Sequence, residues 1–163
     1  YISDLFDAAF KTIEEKKIYS KFIPGLLVSQ VQPEVYKRIA IAILVNEHTE
    51  FWEYNEKSVS FTTDKVLARF GANRGIAYVQ SVSHAKACCA AQFMESTFRG
   101  KVLLQYPGAG LDSDFRKAMR DPNQWPLAMI LLFDQEMKNI AEEFPFIREE
   151  FLKYPEKFEI LFL

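Results

Sequence analysis

The sequence predicts an all-α fold in a single domain, residues 1–163, on three observations. Apolar residues recur at helical spacing in several segments, for example at Leu5, Phe6, Ala9 and Ile13. No segment alternates regularly between apolar and polar residues as a half-buried strand would, and no repeat of fixed period is present. The chain of 163 residues contains no Ser/Gly-rich linker, and this length is typical of one domain with its own core.

Two helices are predicted in the first third of the chain. Ser3 can cap the first of them, which runs to about Lys17. Pro33 stands where a helix commonly begins, because its missing N–H would have no partner in the first turn. The helix from Pro33 runs into Asn46-Glu47-His48-Thr49-Glu50 and is apolar almost all round toward its end. That pattern is typical of a buried helix, so we expect it to be the central one.

The rest of the chain is predicted to alternate helices with loops. Residues 51–61 mix aromatic and charged side chains and are interpreted as a loop. Thr62 or Thr63 is expected to cap a short helix that ends before Gly71. Further helices are predicted at 74–82, 87–98, about 112–119 and 125–143, and Pro145 and Pro155 divide the tail into two shorter helical pieces.

Charge and composition argue against several classes of function. The net charge is −2 and there is no long run of basic residues, which argues against binding to nucleic acid and against electrostatic docking on an anionic membrane. No apolar run is long enough to predict a transmembrane segment. Cys88 and Cys89 are adjacent, so they cannot close an ordinary disulfide loop, and with His they make no metal-binding spacing. We expect them to be buried packing residues.

Three segments could carry chemistry. Residues 41–49 are the end of the apolar helix and contain Glu47. Residues 83–98 begin with Ser83 and contain Gln92-Phe93-Met94, followed by Ser96-Thr97. Residues 121–133 begin with Asp121-Pro122 and continue into an apolar helix.

In this order and spacing, the three segments resemble the lytic transglycosylases of the lysozyme superfamily. That family has a Glu at the end of an apolar helix, then Ser-x-x-Gly-Ala-x-Gly-x-x-Gln-x-Met-Pro-x-Thr, then Asp-Pro before another helix. Residues 64–68 also resemble the short helix that membrane-bound members place between the first two motifs. The resemblance spans roughly residues 35–135 and implies a lysozyme-like domain.

The resemblance also implies an activity, cleavage of the β-1,4 bond between N-acetylmuramic acid and N-acetylglucosamine in peptidoglycan glycan strands. Glu47 would act alone, first protonating the leaving oxygen and then taking a proton from the sugar's 6-hydroxyl, so that a 1,6-anhydro ring closes. No metal and no cofactor are implied, and the expected location is the periplasm or cell envelope. The residues expected to bind substrate are Ser83, Gln92, Phe93, Met94 and Tyr106.

The sequence departs from the family pattern at three places. Lys86-Ala87-Cys88-Cys89 stands where the family has Gly-Ala-x-Gly, and Glu95 stands where it has Pro. His48-Thr49 follows the Glu in place of the usual Ser-Gly or Thr-x-x-Gly. Glycines let a backbone approach a sugar closely, so side chains at these positions could narrow or reshape a binding groove.

The chemistry can also be argued from the residues alone. A glycosidic oxygen needs a proton donor, and an ordinary Glu, whose pKa lies well below neutral pH, would be ionised. Burial in an apolar wall and the negative end of a helix dipole both raise the pKa of a carboxyl group. Glu47 has Ile43 and Leu44 behind it on a helix, whereas its competitor Glu50 has the more polar backing of Glu47 and Asn46. We therefore prefer Glu47.

Each remaining candidate has an alternative structural role. Gln92 could donate to sugar oxygens or to its neighbouring backbone, and Ser83 could be a turn residue. Phe93 and Met94 could belong to the core. His48 is interpreted as a bystander, because adjacent residues on a helix point in different directions.

Two other functions are consistent with the sequence. A hydrolytic lysozyme would need a second carboxylate across the sugar, and Glu50, Glu53 and Asp64 are the nearby candidates. A catalytically impaired module of the same fold could instead bind glycan or a protein partner, which the replacements at Lys86, Cys88 and Cys89 would favour. An open groove with Glu47 at its floor would favour the enzyme, and a groove filled by Lys86 or Trp52 would favour the binding module. A helical scaffold with chance motif matches is the remaining alternative.

Overall fold

The computed structural model describes residues 1–159, and in that part of the chain the structure is mostly helical, with isolated β-bridges and no extended strand. The predicted all-α class is therefore confirmed. Residues 160–163, the end of the predicted domain, lie outside the described range. The helices are α1 (Ile2–Glu15), α2 (Pro33–Glu47), α3 (Phe51–Glu56), α4 (Val59–Asn73), α5 (Glu95–Thr97), α6 (Phe115–Arg120), α7 (Trp125–Glu143), α8 (Ile147–Lys153) and α9 (Glu156–Glu159).

Helix α7 is the central helix of the structure. Its residues 125–131 are all buried, and the helix packs against α1, α2, α6 and α8. Its bounds agree with the predicted 125–143. The expectation that α2 is the central helix is wrong, because Ile41 and Ile43, which lie on different faces of that helix, both remain partly accessible. Helix α2 begins at Pro33, as predicted, and ends at Glu47.

The Asp-Pro motif organises the start of α7. The carboxylate of Asp121 accepts hydrogen bonds from the backbone amide of Asn123 (2.8 Å) and from the side-chain amide of Gln124 (2.9 Å). The carbonyl of Asp121 also accepts from the amide of Trp125 (3.1 Å), at the first position of the helix. An acceptor at this place satisfies amides that a helix leaves unpaired at its N-terminus.

Two predicted helix starts are wrong. Tyr1, not Ser3, precedes α1, and the Ser3 hydroxyl lies within the first turn, 3.5 Å from the carboxylate of Asp7. Ser58, not Thr62 or Thr63, caps α4, where its hydroxyl accepts from the amide of Phe61 (3.2 Å). Residues 51–61 were predicted as loop, but they hold α3 and the first turn of α4. The predicted stop before Gly71 also fails, since α4 continues to Asn73.

The predicted helices over 74–82 and 87–98 are replaced by turns. A 3₁₀ turn covers Arg74–Ile76, and isolated antiparallel bridges pair Cys88 with both Val82 and Phe93. The backbone is left-handed at Lys86 (φ 66°), Cys89 (φ 72°) and Gln92 (φ 47°), which no helix allows. The segment becomes helical only at α5, which continues as a π-helical turn, Phe98–Leu103.

The later predictions agree better with the structure. Helix α6 begins three residues later and ends one residue later than the predicted 112–119, and it is capped by Asp114, whose side chain accepts from the amide of Lys117 (3.0 Å). Helices α8 and α9 are the two predicted pieces of the tail, and Pro155 separates them. Within residues 1–159, no helix is both long enough and apolar enough to cross a membrane.

A buried carboxylate ties α7 to the rest of the fold. Asp134 is fully buried and accepts hydrogen bonds from the hydroxyls of Ser20 (2.6 Å), Tyr36 (3.3 Å) and Tyr106 (2.7 Å). The backbone amides of Lys21 (2.7 Å) and Phe22 (3.4 Å) complete its donors. A buried carboxylate is stable in a core only when it is hydrogen-bonded in this way. These hydrogen bonds hold α7 in one orientation, in which Phe133 and Met137 line the groove described below.

Candidate functional site

An open groove of about 300 Å³ lies between α2 and α7, and Glu47 is on its wall. Ile43, one helical turn before Glu47, lines the same wall because residues four apart share a helix face. The opposite wall comes from α7, and the segment 91–94 with Thr97 closes the space between the helices. The lining from α7 consists of Met129, Leu132, Phe133, Glu136, Met137 and Ile140.

The groove brings Glu47 together with three of the five residues expected to bind substrate. Gln92, Phe93 and Met94 all line it. Phe93 is buried and packs edge-on against Phe98, with ring centroids 6.4 Å apart, so it serves the core as well. Met94 is 38% exposed and lies at the opening.

Ser83 and Tyr106 lie outside the groove. The Ser83 hydroxyl accepts from the amide of Ala87 (3.0 Å), which is the turn role given above as its alternative. The Tyr106 hydroxyl donates to Asp134 and is buried, so it does not reach the groove surface. Neither residue lines the cavity beside Glu47, and the expectation that they bind substrate there has no geometric basis in this structure.

The Glu47 side chain is open to solvent at the end of α2, while apolar neighbours crowd its base. This partial burial raises the pKa of its carboxyl above the ordinary value of 4.5. A raised pKa is the property that a carboxylic acid needs to hold a proton for donation. Glu50 is also exposed but does not line the groove.

Gln92 is held in place by its own side chain. Its amide nitrogen donates to the carbonyl of Cys89 (2.8 Å) and to the hydroxyl of Ser81 (3.2 Å). Both roles considered for Gln92 therefore coexist, because the side chain bonds neighbouring residues and also lines the groove. Its left-handed backbone and these two bonds fix the direction in which it enters the groove.

Lys86 and Cys89, which stand at the two glycine positions of the family pattern, do not line the groove. Lys86 and its neighbour Cys88 line a separate depression, which meets the groove at Met94. Trp52 is 51% exposed and also lies outside the groove. Lys86 and Cys89, at the two positions where the family pattern has Gly, both adopt the left-handed backbone that glycine favours.

Cys88 and Cys89 are buried, as expected for packing residues, and they are joined by a disulfide. This bond was not predicted from the sequence. Because the bonded residues are adjacent, it closes no loop of the chain.

The three carboxylates named as possible partners of Glu47 are not in the groove. The Glu53 carboxylate pairs with the Lys65 ammonium, which lowers its pKa, and accepts from the amide of Glu50 (3.0 Å). Asp64 is exposed on α4. None of the three lines the cavity.

Sequence reasoning missed Glu136, the second carboxylate of the groove. It lies on the α7 wall, where Lys101 donates to it at 2.6 Å and Asn139 at 3.4 Å. In the sequence, Glu136 is one of many acidic residues on an amphipathic helix, and no motif marks it. Its position could have been found from helical spacing, since it shares a face with Phe133 and Ile140.

Residues 1–159 contain no cluster of three or more His, Cys, Asp or Glu side chains that could hold a metal ion. No protein-family model matches the chain, and no curated protein or solved structure matches it either.

Proposed function

We propose that the protein is a lytic transglycosylase with a lysozyme-like fold, which cleaves the N-acetylmuramic acid–N-acetylglucosamine bond of peptidoglycan. The observation that carries the proposal is the open groove that Glu47 shares with Gln92, Phe93 and Met94. These residues come from two of the three segments on which the family resemblance rests. Such an activity would place the protein at the cell envelope.

The geometry is suited to the chemistry of a single carboxyl group. Glu47 stands at a groove wall whose apolar side chains favour its protonated form. It donates that proton to the glycosidic oxygen, and the bond between this oxygen and the anomeric carbon breaks. The resulting carboxylate takes the proton of the sugar's 6-hydroxyl, and the oxygen of this hydroxyl attacks the anomeric carbon. The products are a new hydroxyl end and a 1,6-anhydro end, and no water is consumed.

The left-handed backbone at Lys86 and Cys89 is a second line of support. Glycine adopts this conformation most readily, so a motif with glycine at these two positions fits the backbone observed here. The replacements therefore alter the side chains at the edge of the groove and leave the course of the backbone compatible with the family pattern.

The proposal is tested by replacing the acid. Glu47→Gln removes the proton but keeps the size of the side chain, so cleavage of purified cell walls should fall by about two to four powers of ten. Glu50→Gln is the matched control, since Glu50 is exposed outside the groove, and its activity should stay near that of the unmutated chain. Turbidity of a cell-wall suspension gives the rate, circular dichroism checks helicity, and mass spectrometry identifies anhydro ends.

A second candidate, a catalytically impaired module that binds glycan, is favoured by one observation. Most of the groove lining is apolar, and the Gln92 amide nitrogen is already bonded to Cys89 and Ser81. If the unmutated chain cleaved no cell wall but was retained on insoluble peptidoglycan, the binding module would replace the enzyme. If Glu50→Gln abolished cleavage and Glu47→Gln did not, Glu50 would be the acid.

A further inference from the structure

His48 directly follows Glu47, and its ring makes two contacts that no solvent-facing bystander would make. The imidazole stacks on the ring of Tyr78, with centroids 3.7 Å apart and planes 15° from parallel. Its Nε2 lies 2.7 Å from the carbonyl oxygen of Ala90. A carbonyl oxygen only accepts, so Nε2 carries the hydrogen and donates.

The acceptor of this bond, the Ala90 carbonyl, lies next to residues that line the groove. Ala90 is buried, and the next two residues, Ala91 and Gln92, line the groove. The donor is one residue from Glu47. One hydrogen bond therefore connects the end of the helix that carries the acid to the segment that carries Gln92, across 42 residues of sequence.

The surroundings of His48 keep its ring neutral and fixed. Burial lowers the pKa of the imidazole, the positive charge of Arg69 lowers it further, and the bond to Ala90 acts in the opposite direction. Arg69 also lies over the ring of Tyr78, on which His48 stacks, with its guanidinium carbon 5.9 Å from the Tyr78 ring centroid. Phe70 approaches edge-on, with ring centroids 6.0 Å apart. The ring is thus enclosed by α4 and by the turn at Tyr78.

We infer that His48 is a positioning residue, which sets the distance between Glu47 and Gln92 through its hydrogen bond to the Ala90 carbonyl. The effect on catalysis rests on the proposed function. The effect of the hydrogen bond on the position of residues 88–93 does not, because it requires no substrate. Without the donor, the segment is still tied by backbone bonds to Ser81 and within itself, but it loses its direct bond to the acid helix.

Two variants separate the hydrogen bond from the ring. His48→Phe keeps an aromatic ring against Tyr78 and removes the donor. His48→Gln removes the ring and offers an amide N–H at a similar reach. We expect His48→Phe to lower kcat about ten- to hundredfold with a smaller change in KM, because a misplaced catalytic group slows the chemical step most. His48→Gln should recover most of that loss.

His84→Phe is the matched control, because His84 is the other histidine of the chain and is exposed. It should leave kcat unchanged. If His48→Phe kept the kcat of the unmutated chain, or if His48→Gln was as slow as His48→Phe, the hydrogen bond would not position the site and the inference would be overturned.

A second measurement is independent of activity. The amides of Cys89, Gln92 and Phe93 are hydrogen-bonded within this part of the structure, so their hydrogen exchange reports how firmly the segment is held. Exchange should become about tenfold faster in His48→Phe and stay near the unmutated rate in His48→Gln and His84→Phe. Should the unmutated chain prove inactive, the proposed function falls, while these exchange rates still decide the inference. Equal rates in all four proteins would overturn it.

Discussion

The phenol of Tyr106 donates a 2.7 Å hydrogen bond to Asp134, the fully buried carboxylate of the central helix. Burial and the charge of Asp134 raise the pKa of this phenol far above its ordinary value of 10.0, so the hydroxyl keeps its proton and remains a donor. Tyr106 was expected to contact substrate, but its role in the structure is to stabilise the core.

Tyr106→Phe should therefore lower stability and, if the proposed function holds, leave glycan binding unchanged. A hydrogen bond to a charged group contributes about 1.5–3 kcal/mol, which corresponds to a fall in Tm of roughly 3–12 °C for a chain of this size. Thermal unfolding followed by circular dichroism measures the change. Tyr19→Phe is the control, because Tyr19 is 59% exposed. A Tyr106→Phe variant with an unchanged Tm and weakened glycan binding would instead indicate that Tyr106 contacts substrate.

The raised pKa of Glu47 predicts two pH dependences of known sign. Since the folded pKa lies above the ordinary value of 4.5, the folded state holds the proton more tightly than the unfolded state. The resulting stabilisation is complete below 4.5 and is lost as the pH rises through the folded pKa. If Glu47 is the general acid, as proposed above, it also loses its donating form over the same window, and kcat should fall there.

Glu47→Gln should abolish this pH dependence of stability between 4.5 and the folded pKa. Urea unfolding at closely spaced pH values, compared between the variant and the unmutated chain, isolates the contribution of this one group. Identical pH curves for the two proteins would show that the groove does not perturb the carboxyl.

Glu136 offers a test of whether the reaction consumes water. A transglycosylase needs one carboxyl group, whereas a hydrolase needs a second one to hold water or a nucleophile. Glu136 is the second carboxylate in the groove and is paired with Lys101. We expect Glu136→Gln to keep anhydro ends as the main product in mass spectra of digested peptidoglycan. If the unmutated chain gave reducing ends and Glu136→Gln lost them, the enzyme would be a hydrolase.

Lys86→Gly should stabilise the protein. A residue with a Cβ in the left-handed region costs about 1–2 kcal/mol, part of which is offset by the greater freedom of glycine in the unfolded chain. Lys86 is exposed with φ 66°, so the exchange removes little packing. A net gain of up to about 1 kcal/mol, or about 2–4 °C in Tm, is expected. Lys86→Ala keeps the Cβ and should gain nothing, and an equal gain in both variants would assign the effect to the loss of charge.

The long elements of this fold were predictable because their local signals agree with their tertiary setting. Helix α7 has a run of apolar residues that continues at helical spacing, and the structure keeps its predicted bounds. The segment around Cys89 was misread because small residues favour helix locally, whereas its turns depend on left-handed residues other than glycine. Such conformations are set by distant contacts, for example the bond from Cys89 to the carbonyl of Ser81.

The residues of the candidate site also divide into those that local sequence signals predict and those whose roles depend on distant contacts. Glu47 and Gln92 were found because each belongs to a motif with a recognisable spacing. Glu136 and His48 were missed or set aside because their roles depend on which segments meet in space. A sequence window around His48 cannot reveal that Ala90 is its acceptor, 42 residues later.

The cluster at Asp134 has a consequence for the order of folding. Its hydrogen bond to Ser20 spans 114 of the 163 residues and its bond to Tyr36 spans 98, so more than half of the chain must close into loops before the carboxylate has these donors. Helices can form locally within microseconds, but contacts at such separation slow folding because the entropy of closure is lost first. We therefore expect this buried cluster to assemble late in folding, and until its donors are in place the carboxylate of Asp134 opposes the burial of α7.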